Sequence, residues 1–355
     1  MPSKMKVLVA EDSALMRRIL VDILEGEDFI DTVDIARNGK DCIEKAISLK
    51  PDIITLDIEM PIMDGISALK ELIKIKPLPI IIMLSSFTTE GAETTIEALE
   101  LGAADFITKP KGLFVQENIN NLKRDLVGKI RNLIKSDYIY KPVAVPMPSD
   151  NIKIPRKTYL DKGDIKYIIG IGTSTGGPRA LQEVITKMPE NLPAAVFVVQ
   201  HMPPVFTKSL ADRLNALSMV TVKEAENRER VKANCVYIAP GDYHMAVVDS
   251  GKGYYEILLN QSSLVNGHRP SVDVMLDSLS KLKGEDIIAV IMTGMGSDGA
   301  RGVKKVKNTG GITIAQNEET CVVYGMPKAA IATNAIDAIV PLKDITKTVL
   351  RYMGV

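Results

Sequence analysis

The chain has 355 residues, with 44 Lys plus Arg balanced by 44 Asp plus Glu. That length accommodates two domains with a core each, and zero net charge supplies none of the long-range attraction that general binding to nucleic acid or acidic membranes requires. No nucleic-acid partner is therefore expected. Cys42, Cys235 and Cys321 stand far apart without a CxxC or Cys/His ligand pattern, which suits buried apolar cysteines in a reducing compartment and argues against a disulfide frame or zinc knuckle. Met1-Pro-Ser-Lys-Met-Lys6 runs into a short apolar strand with no signal-peptide core. No stretch approaches the roughly twenty apolar residues of a membrane span, so a soluble cytoplasmic protein with no direct membrane insertion is the expectation.

From Lys6 to Lys135, apolar runs alternate with helical patterns. Val7 to Ala10, Thr32 to Ile35, Ile53 to Leu56, Ile80 to Leu84 and Phe106 to Ile107 read as strands. Short continuous apolar strands between helices indicate a parallel sheet covered on both faces. Ser13 to Glu25 and Ile66 to Ile75 carry apolar residues at helical spacing, with Ser13 and Asp64-Gly65 as helix-start signals.

Polar residues collect where these strands end. Glu11 and Asp12 follow the first strand, Asp57 ends the third, Ser85-Ser86 ends the fourth, and Lys109-Pro110 follows the fifth. Three carboxylates at one sheet edge repel one another, an arrangement that makes sense if a hard cation such as Mg²⁺ neutralises them. Asp57 is then the expected phosphoryl acceptor, with the metal, the Lys109 ammonium and the Ser85 hydroxyl stabilising the equatorial oxygens.

Val9-Ala-Glu-Asp-Ser13, Leu56-Asp-Ile-Glu-Met-Pro-Ile-Met-Asp-Gly65, Ser85-Ser86 and Thr108-Lys-Pro110 make this segment resemble the receiver domain of two-component response regulators. The resemblance implies that a histidine kinase phosphorylates Asp57. It also implies that Glu11, Asp12, Asp57 and the Glu59 main-chain carbonyl hold Mg²⁺. Ser85 and Lys109 take the hydroxyl and lysine positions of the receiver switch, and Phe106 takes its aromatic position, where a plain core phenylalanine is the alternative.

Residues 136–162 contain Pro142, Pro146, Pro148 and Pro155 among polar residues, too many prolines for a helix or a central strand. A partly extended linker is expected there. A second α/β pattern follows, with strands near Tyr167 to Gly172, Ala195 to Gln200, Cys235 to Ala239, Ile287 to Thr293 and Ile312 to Ala315, and a hairpin-like segment from His244 to Leu259. The predicted fold class is α/β throughout: a doubly wound five-stranded parallel sheet, a linker, and a C-terminal domain with a mainly parallel sheet and an antiparallel hairpin.

In Tyr167-Ile-Ile-Gly-Ile-Gly-Thr-Ser-Thr-Gly-Gly-Pro178 an apolar strand ends in a glycine-flanked serine that opens a helix. Such a turn exposes a nucleophile, and helix N-terminal amides can stabilise an oxyanion. A nucleotide loop is the other use of such a turn. It fits poorly, because a dinucleotide fingerprint needs glycine at Thr175 and a P-loop needs Gly-Lys-Ser/Thr where Gly176-Gly177-Pro178 stands. The chain's three histidines are His201, His244 and His268. His201 follows the strand ending at Gln200 and is the best placed to accept the Ser174 proton. Asp298, in Met292-Thr-Gly-Met-Gly-Ser-Asp-Gly299 after another strand, has the position of an orienting carboxylate.

Ile171-Gly-Thr-Ser-Thr-Gly-Gly-Pro178, Gln200-His-Met202, Ile238-Ala-Pro-Gly-Asp-Tyr-His-Met245, His268-Arg-Pro-Ser-Val-Asp273 and Met292-Thr-Gly-Met-Gly-Ser-Asp-Gly-Ala300 resemble, in order, the chemotaxis protein-glutamate methylesterase family. The resemblance covers nearly the whole chain. It implies a receiver domain over residues 1–135, an interdomain linker over 136–162 and a methylesterase domain over 163–355. It also implies Ser174 as nucleophile, His201 as base and then acid, Asp298 as orienting carboxylate, and the amides of Thr175 and Met295 as oxyanion donors. The implied partners are methyl-accepting chemoreceptors as substrate and the chemotaxis histidine kinase as phosphoryl donor. No cofactor is implied at the esterase site. His244, His268 and Arg269 match family segments near the active-site face, with substrate positioning or structural support as their expected role. Thr173 departs from the alanine common at its position and offers a hydroxyl beside Ser174.

Two other classes fit the sequence less well. A response regulator with a non-catalytic binding output predicts a basic recognition helix or an exposed apolar interface, and neither is evident in the sequence. A metallohydrolase built on the three histidines and Asp298 lacks HxxxH or HxH spacing.

Overall fold

The computed structural model describes residues 4–110, 116–135, 165–283 and 286–354. The described residues fall into two compact units. The linker predicted over 136–162 lies outside them.

In the first unit, strands and helices alternate: β1 (Met5–Ala10), α1 (Ala14–Glu25), β2 (Ile30–Ala36), α2 (Gly39–Leu49), β3 (Ile53–Asp57), α3 (Gly65–Leu72), β4 (Ile80–Ser85), α4 (Thr89–Leu101), β5 (Asp105–Thr108) and α5 (Gln116–Lys135). All strand pairs are parallel in the order β2-β1-β3-β4-β5. Each predicted strand is present, lengthened by one to three residues where hydrogen bonding runs past the apolar run. Both helix-start signals act as caps. Ser13 Oγ accepts from the Met16 amide, and Asp64 Oδ1 accepts from the Ser67 amide at 2.7 Å, which relieves first-turn amides that have no partner within the helix. Helices α1 and α5 pack together, and α3 packs between α2 and α4. With both faces covered, β3 and most of β1 and β4 are buried, which is why their sequences are continuously apolar rather than alternating.

The second unit runs β6 (Tyr167–Thr173), α6 (Gly177–Ile185), β7 (Ala194–Gln200), α7 (Phe206–Leu217), β8 (Thr221–Glu224), β9 (Cys235–Ile238), β10 (His244–Asp249), β11 (Tyr255–Asn260), α8 (Val272–Leu279), β12 (Asp286–Ile291), α9 (Ala300–Asn308), β13 (Ile312–Gln316), α10 (Met326–Ile331), β14 (Ala338–Val340) and α11 (Ile345–Met353). Its seven-stranded sheet is parallel throughout, ordered β14-β13-β12-β6-β7-β9-β8. The antiparallel character is confined to β10 and β11, which form a separate two-stranded sheet with β10 against α8. Sequence reading did not find β8 and β14, the two edge strands; both are short, and β14 is incompletely buried, so neither carries the apolar run that marks a central strand.

The chain proceeds from β6 to β7 and β9 on one side and later returns to β12 on the other. Loops leaving β6 and β12 therefore part in opposite directions and open a crevice at the carboxyl edge, the usual ligand position in an open α/β sheet. In the first unit the same reversal lies between β1 and β3.

Candidate active site

At the reversal in the first unit, Glu11 and Asp57 are buried and Asp12 is exposed, with one ligand atom from each lying within 4.8 Å of the others. Lys109 Nζ lies 2.7 Å from Asp57 Oδ1 and 2.9 Å from Glu11 Oε2. Burial first and the Asp57 charge second, opposed by Lys109, raise the Glu11 carboxyl to about 7. Burial also raises Asp57 against the pull of Lys109. One ammonium thus leaves the cluster short of positive charge. Asp57 Oδ2 is buried without a hydrogen-bond partner, and an all-oxygen donor set suits Mg²⁺; the residues fit that ion.

Ser85 and Phe106 are both buried. Ser85 Oγ lies 3.1 Å from the Gly91 carbonyl and accepts from Thr95 Oγ1 at 2.7 Å, so reaching a phosphoryl oxygen requires it to exchange partners. Lys129 Nζ sits 5.0 Å from the Phe106 ring centroid and donates to the Phe106 carbonyl at 2.6 Å. Glu59 bonds through its amide to Asp57 Oδ1 at 3.4 Å, while its carboxylate accepts from Ser86 at 3.3 Å.

In the second unit, Ser174 stands between the end of β6 and the start of α6. The Ser174 amide donates to the Thr293 carbonyl at 3.0 Å, and its carbonyl accepts from the Gly177 amide at 2.7 Å, closing the turn. The Thr173 hydroxyl donates to the same Thr293 carbonyl at 2.9 Å, so it fastens the serine turn to the loop after β12 instead of entering the crevice. Thr293 Oγ1 donates in turn to the Thr175 carbonyl at 3.0 Å. Gly294 then passes so close that a Cβ on it would lie 2.8 Å from Ser174 Cβ and 2.4 Å from Met326 Sδ. Only glycine permits that approach, and it brings the loop carrying Met295 against Ser174. Thr175 is buried and Met295 is at the surface.

His201 leaves the end of β7, its amide bonded to the Thr173 carbonyl at 3.2 Å. Its side chain is 6% exposed, and Nε2 lies 2.9 Å from Asp298 Oδ2. His201 Nδ1 is buried with no partner. An ionised Asp298 can only accept, so Nε2 carries the proton and Nδ1 presents a lone pair.

Asp298 also accepts from Val272 N at 2.7 Å, Ser271 Oγ at 2.8 Å, Asp273 N at 3.1 Å and Asn266 Nδ2 at 3.2 Å. Burial pushes its carboxyl upward, but the His201 bond and the two amides at the start of α8 outweigh that and hold it well below the ordinary carboxylate range. Sequence reading missed Asn266, Ser271, Gln200 and Thr293 as site residues. For Ser271 the signal was present, since a serine before Val-Asp is a helix-start pattern; the others act through long-range contacts that leave no local pattern.

The remaining histidines separate. His268 stacks on His201, with ring centroids 4.0 Å apart and planes within 7°. Burial and the His201 charge push it down to about 4, so it is neutral near pH 7. His244 is fully buried, its Nε2 bonded to the Ser263 carbonyl at 3.1 Å. Arg269 binds Asp242 at 2.6 Å and the carbonyls of Gln261 and Ser262, each at 2.8 Å, and acts as a brace for its loop.

The CheB methylesterase family profile matches residues 169–349, and the response regulator receiver domain profile matches residues 7–116. The protein-glutamate methylesterase/protein-glutamine glutaminase of Archaeoglobus fulgidus is 46% identical, with 99% of each chain covered. Its namesake from Thermotoga maritima is 45% identical over 98% of each. The crystal structure of the Thermotoga maritima CheB methylesterase catalytic domain is 48% identical, covers 52% of this chain and 97% of its own, and superposes with a TM-score of 0.51. Among the described residues no helix is long and apolar enough to cross a membrane. With both profiles in order on one chain and relatives alike along its full length, the protein belongs to the receiver-linked CheB methylesterase family.

Proposed function

We propose that this protein hydrolyses γ-methyl esters of glutamate on methyl-accepting chemoreceptors, converts receptor glutamine to glutamate by the same route, and is activated when a chemotaxis histidine kinase supplies the phosphoryl group of Asp57. The observation that carries the reading is the imidazole of His201, tied through Nε2 to Asp298 with Nδ1 unpartnered, on the sheet edge from which the Ser174 turn emerges.

Ser174 Oγ attacks the ester carbonyl while His201 Nδ1 takes the hydroxyl proton. Asp298 stays ionised and stabilises the imidazolium through the Nε2–H bond. Negative charge develops on the carbonyl oxygen, which the amides of Thr175 and Met295 receive at the start of α6 and in the loop against Ser174. As the tetrahedral species collapses, His201 returns the proton to the departing oxygen and methanol leaves. Water, deprotonated by His201, then attacks the acyl-serine; the serine ester bond breaks, Ser174 regains its proton from His201, and the receptor leaves with its glutamate side chain as a free carboxylate. With glutamine the first leaving group is ammonia.

In the receiver, the Asp57 carboxylate attacks the phosphorus of the kinase phosphohistidine, the N–P bond breaks and the kinase imidazole leaves, and the Lys109 ammonium stabilises the transferred group. Glu11, Asp12 and Asp57, with the Glu59 carbonyl, would hold Mg²⁺, which neutralises charge on the phosphoryl oxygens. Ser85 and Phe106 then change partners and relay phosphorylation to the rest of the receiver. A cytoplasmic enzyme meets both partners.

A serine-reactive phosphonate tests the covalent step. Mass spectrometry should find the adduct on Ser174, with labelling slowed in His201→Ala; an adduct on another residue would refute the assignment.

A further inference from the structure

The strands that carry Ser174 and His201 part company at the sheet edge. Thr173 pairs with Gln200 in the β6–β7 register, and the His201 amide to the Thr173 carbonyl is the last backbone rung. Beyond it, the Ser174 amide turns toward Thr293 on the β12 side while His201 continues away from β7. No main-chain bond links the two residues past that point, yet their side chains must meet to within hydrogen-bonding distance for proton transfer.

One side chain spans the gap. Gln200 is 2% exposed, and its Nε2 donates to the Ser174 carbonyl at 3.0 Å and to the His201 carbonyl at 3.2 Å. Two acceptors fix the amide's orientation, since the flipped amide would aim oxygen at both carbonyls. Oε1 is then buried without a partner and lies against Gly177, where a Cβ would stand only 1.9 Å away. A buried amide held with its oxygen unsatisfied is costly, which marks the two donated bonds as the reason for its presence. The Gly177 amide closes the serine turn through the same Ser174 carbonyl, so glycine and glutamine act on one oxygen.

We propose that Gln200 is a positioning residue for the esterase reaction: its amide joins the backbones of Ser174 and His201 and sets the approach of Ser174 Oγ to His201 Nδ1. The proposal rests on the serine-esterase reading above. Gln200 touches no reacting atom, so its effect belongs in the chemical step and not in receptor binding.

The test compares wild-type protein, Gln200→Leu and Gln200→Glu by methanol release from methylated receptor across pH. Gln200→Leu removes both donors at similar size. Its kcat should fall about ten- to a hundredfold, the scale of a misplacement near 1 Å, with KM within about twofold and the fold retained. Gln200→Glu restores one donor only while its carboxyl is protonated, and burial between two carbonyls raises that carboxyl above the ordinary range. The ratio of its activity to that of wild type should therefore be highest at low pH and fall as pH rises, since both proteins share the His201 base and the ratio isolates the introduced carboxyl. A folded Gln200→Leu with near wild-type kcat, or a Gln200→Glu profile parallel to wild type, overturns the proposal. If Gln200→Leu does not fold, the Gln200→Glu profile decides. A wild-type protein that releases no methanol would instead refute the underlying esterase reading.

Discussion

His201 meets Asp298 through Nε2 at 2.9 Å and keeps Nδ1 buried and unpartnered, so the tautomer needed for general-base chemistry is already set by a carboxylate that can only accept. Asp298→Asn should break this logic, because a neutral amide placed among five donors no longer enforces the Nε2–H form. By analogy with other serine triads, kcat for methanol release should drop by about 10⁴-fold. Retention of more than a tenth of the wild-type rate would mean that Asp298 does not orient the base.

Asp298 also predicts an acid dependence of stability. Its folded carboxyl lies below the ordinary value of 3.8, so the unfolded chain binds more protons than the folded one below that pH. The stabilisation is present above about pH 4 and is lost as pH falls toward the depressed folded value. Thermal melts of wild type and Asp298→Asn should therefore converge as pH drops below 4 and differ most near neutrality. A difference independent of pH would show that the carboxylate charge does not contribute.

His268 titrates in a higher window. It falls from 6.5 to about 4 on folding, so between those values the unfolded chain takes up the proton and stability declines as pH falls. The His268→Phe variant keeps a flat ring against His201 and removes the titration, so its melting temperature should decline less than wild type between pH 6.5 and 4. Parallel curves would mean that His268 is not held neutral in the folded state.

Gly294 ties the loop bearing Met295 to the serine turn. The Gly294→Ala variant would place a Cβ 2.8 Å from Ser174 Cβ and 2.9 Å from Ser174 N, forcing the two segments apart. Methanol release should fall by about 10²-fold while the serine still reacts, more slowly, with a phosphonate. Unchanged turnover would show that the approach has no catalytic consequence.

Both parallel sheets were legible because buried strands are continuously apolar, and the placement of Ser174 and His201 because each directly follows one; Asp298 stands farther along, in the loop between β12 and α9. Ser13 and Asp64 were legible as caps for the same local reason. Edge strands β8 and β14 were not, being short and, for β14, incompletely buried. The supports of the site also lay beyond reading: Asn266 reaches Asp298 across 32 positions and Gln200 reaches Ser174 across 26, distances that topology closes and no local periodicity records. The stacking of His268 on His201 belongs to the same class. For Thr173 the sequence offered a hydroxyl and the fold supplied its acceptor, the Thr293 carbonyl.

Phosphorylation and ester hydrolysis are assigned to different residues and should separate cleanly. Asp57→Asn should take up no phosphoryl group from a small phosphodonor in Mg²⁺, lose kinase-dependent activation and keep the basal esterase rate. Ser174→Ala should be phosphorylated as wild type is. Labelling of Asp57→Asn to the wild-type level would move the acceptor elsewhere.

The central claim is that Ser174 is the nucleophile that releases methanol. The direct measurement is methanol evolved from methylated chemoreceptor by wild type and by Ser174→Ala, each verified as folded by its thermal transition. The account predicts steady release by wild type and near-complete loss in Ser174→Ala, with the double variant Ser174→Ala/His201→Ala no worse than Ser174→Ala because the residues act as one unit. Substantial methanol release by folded Ser174→Ala would contradict it.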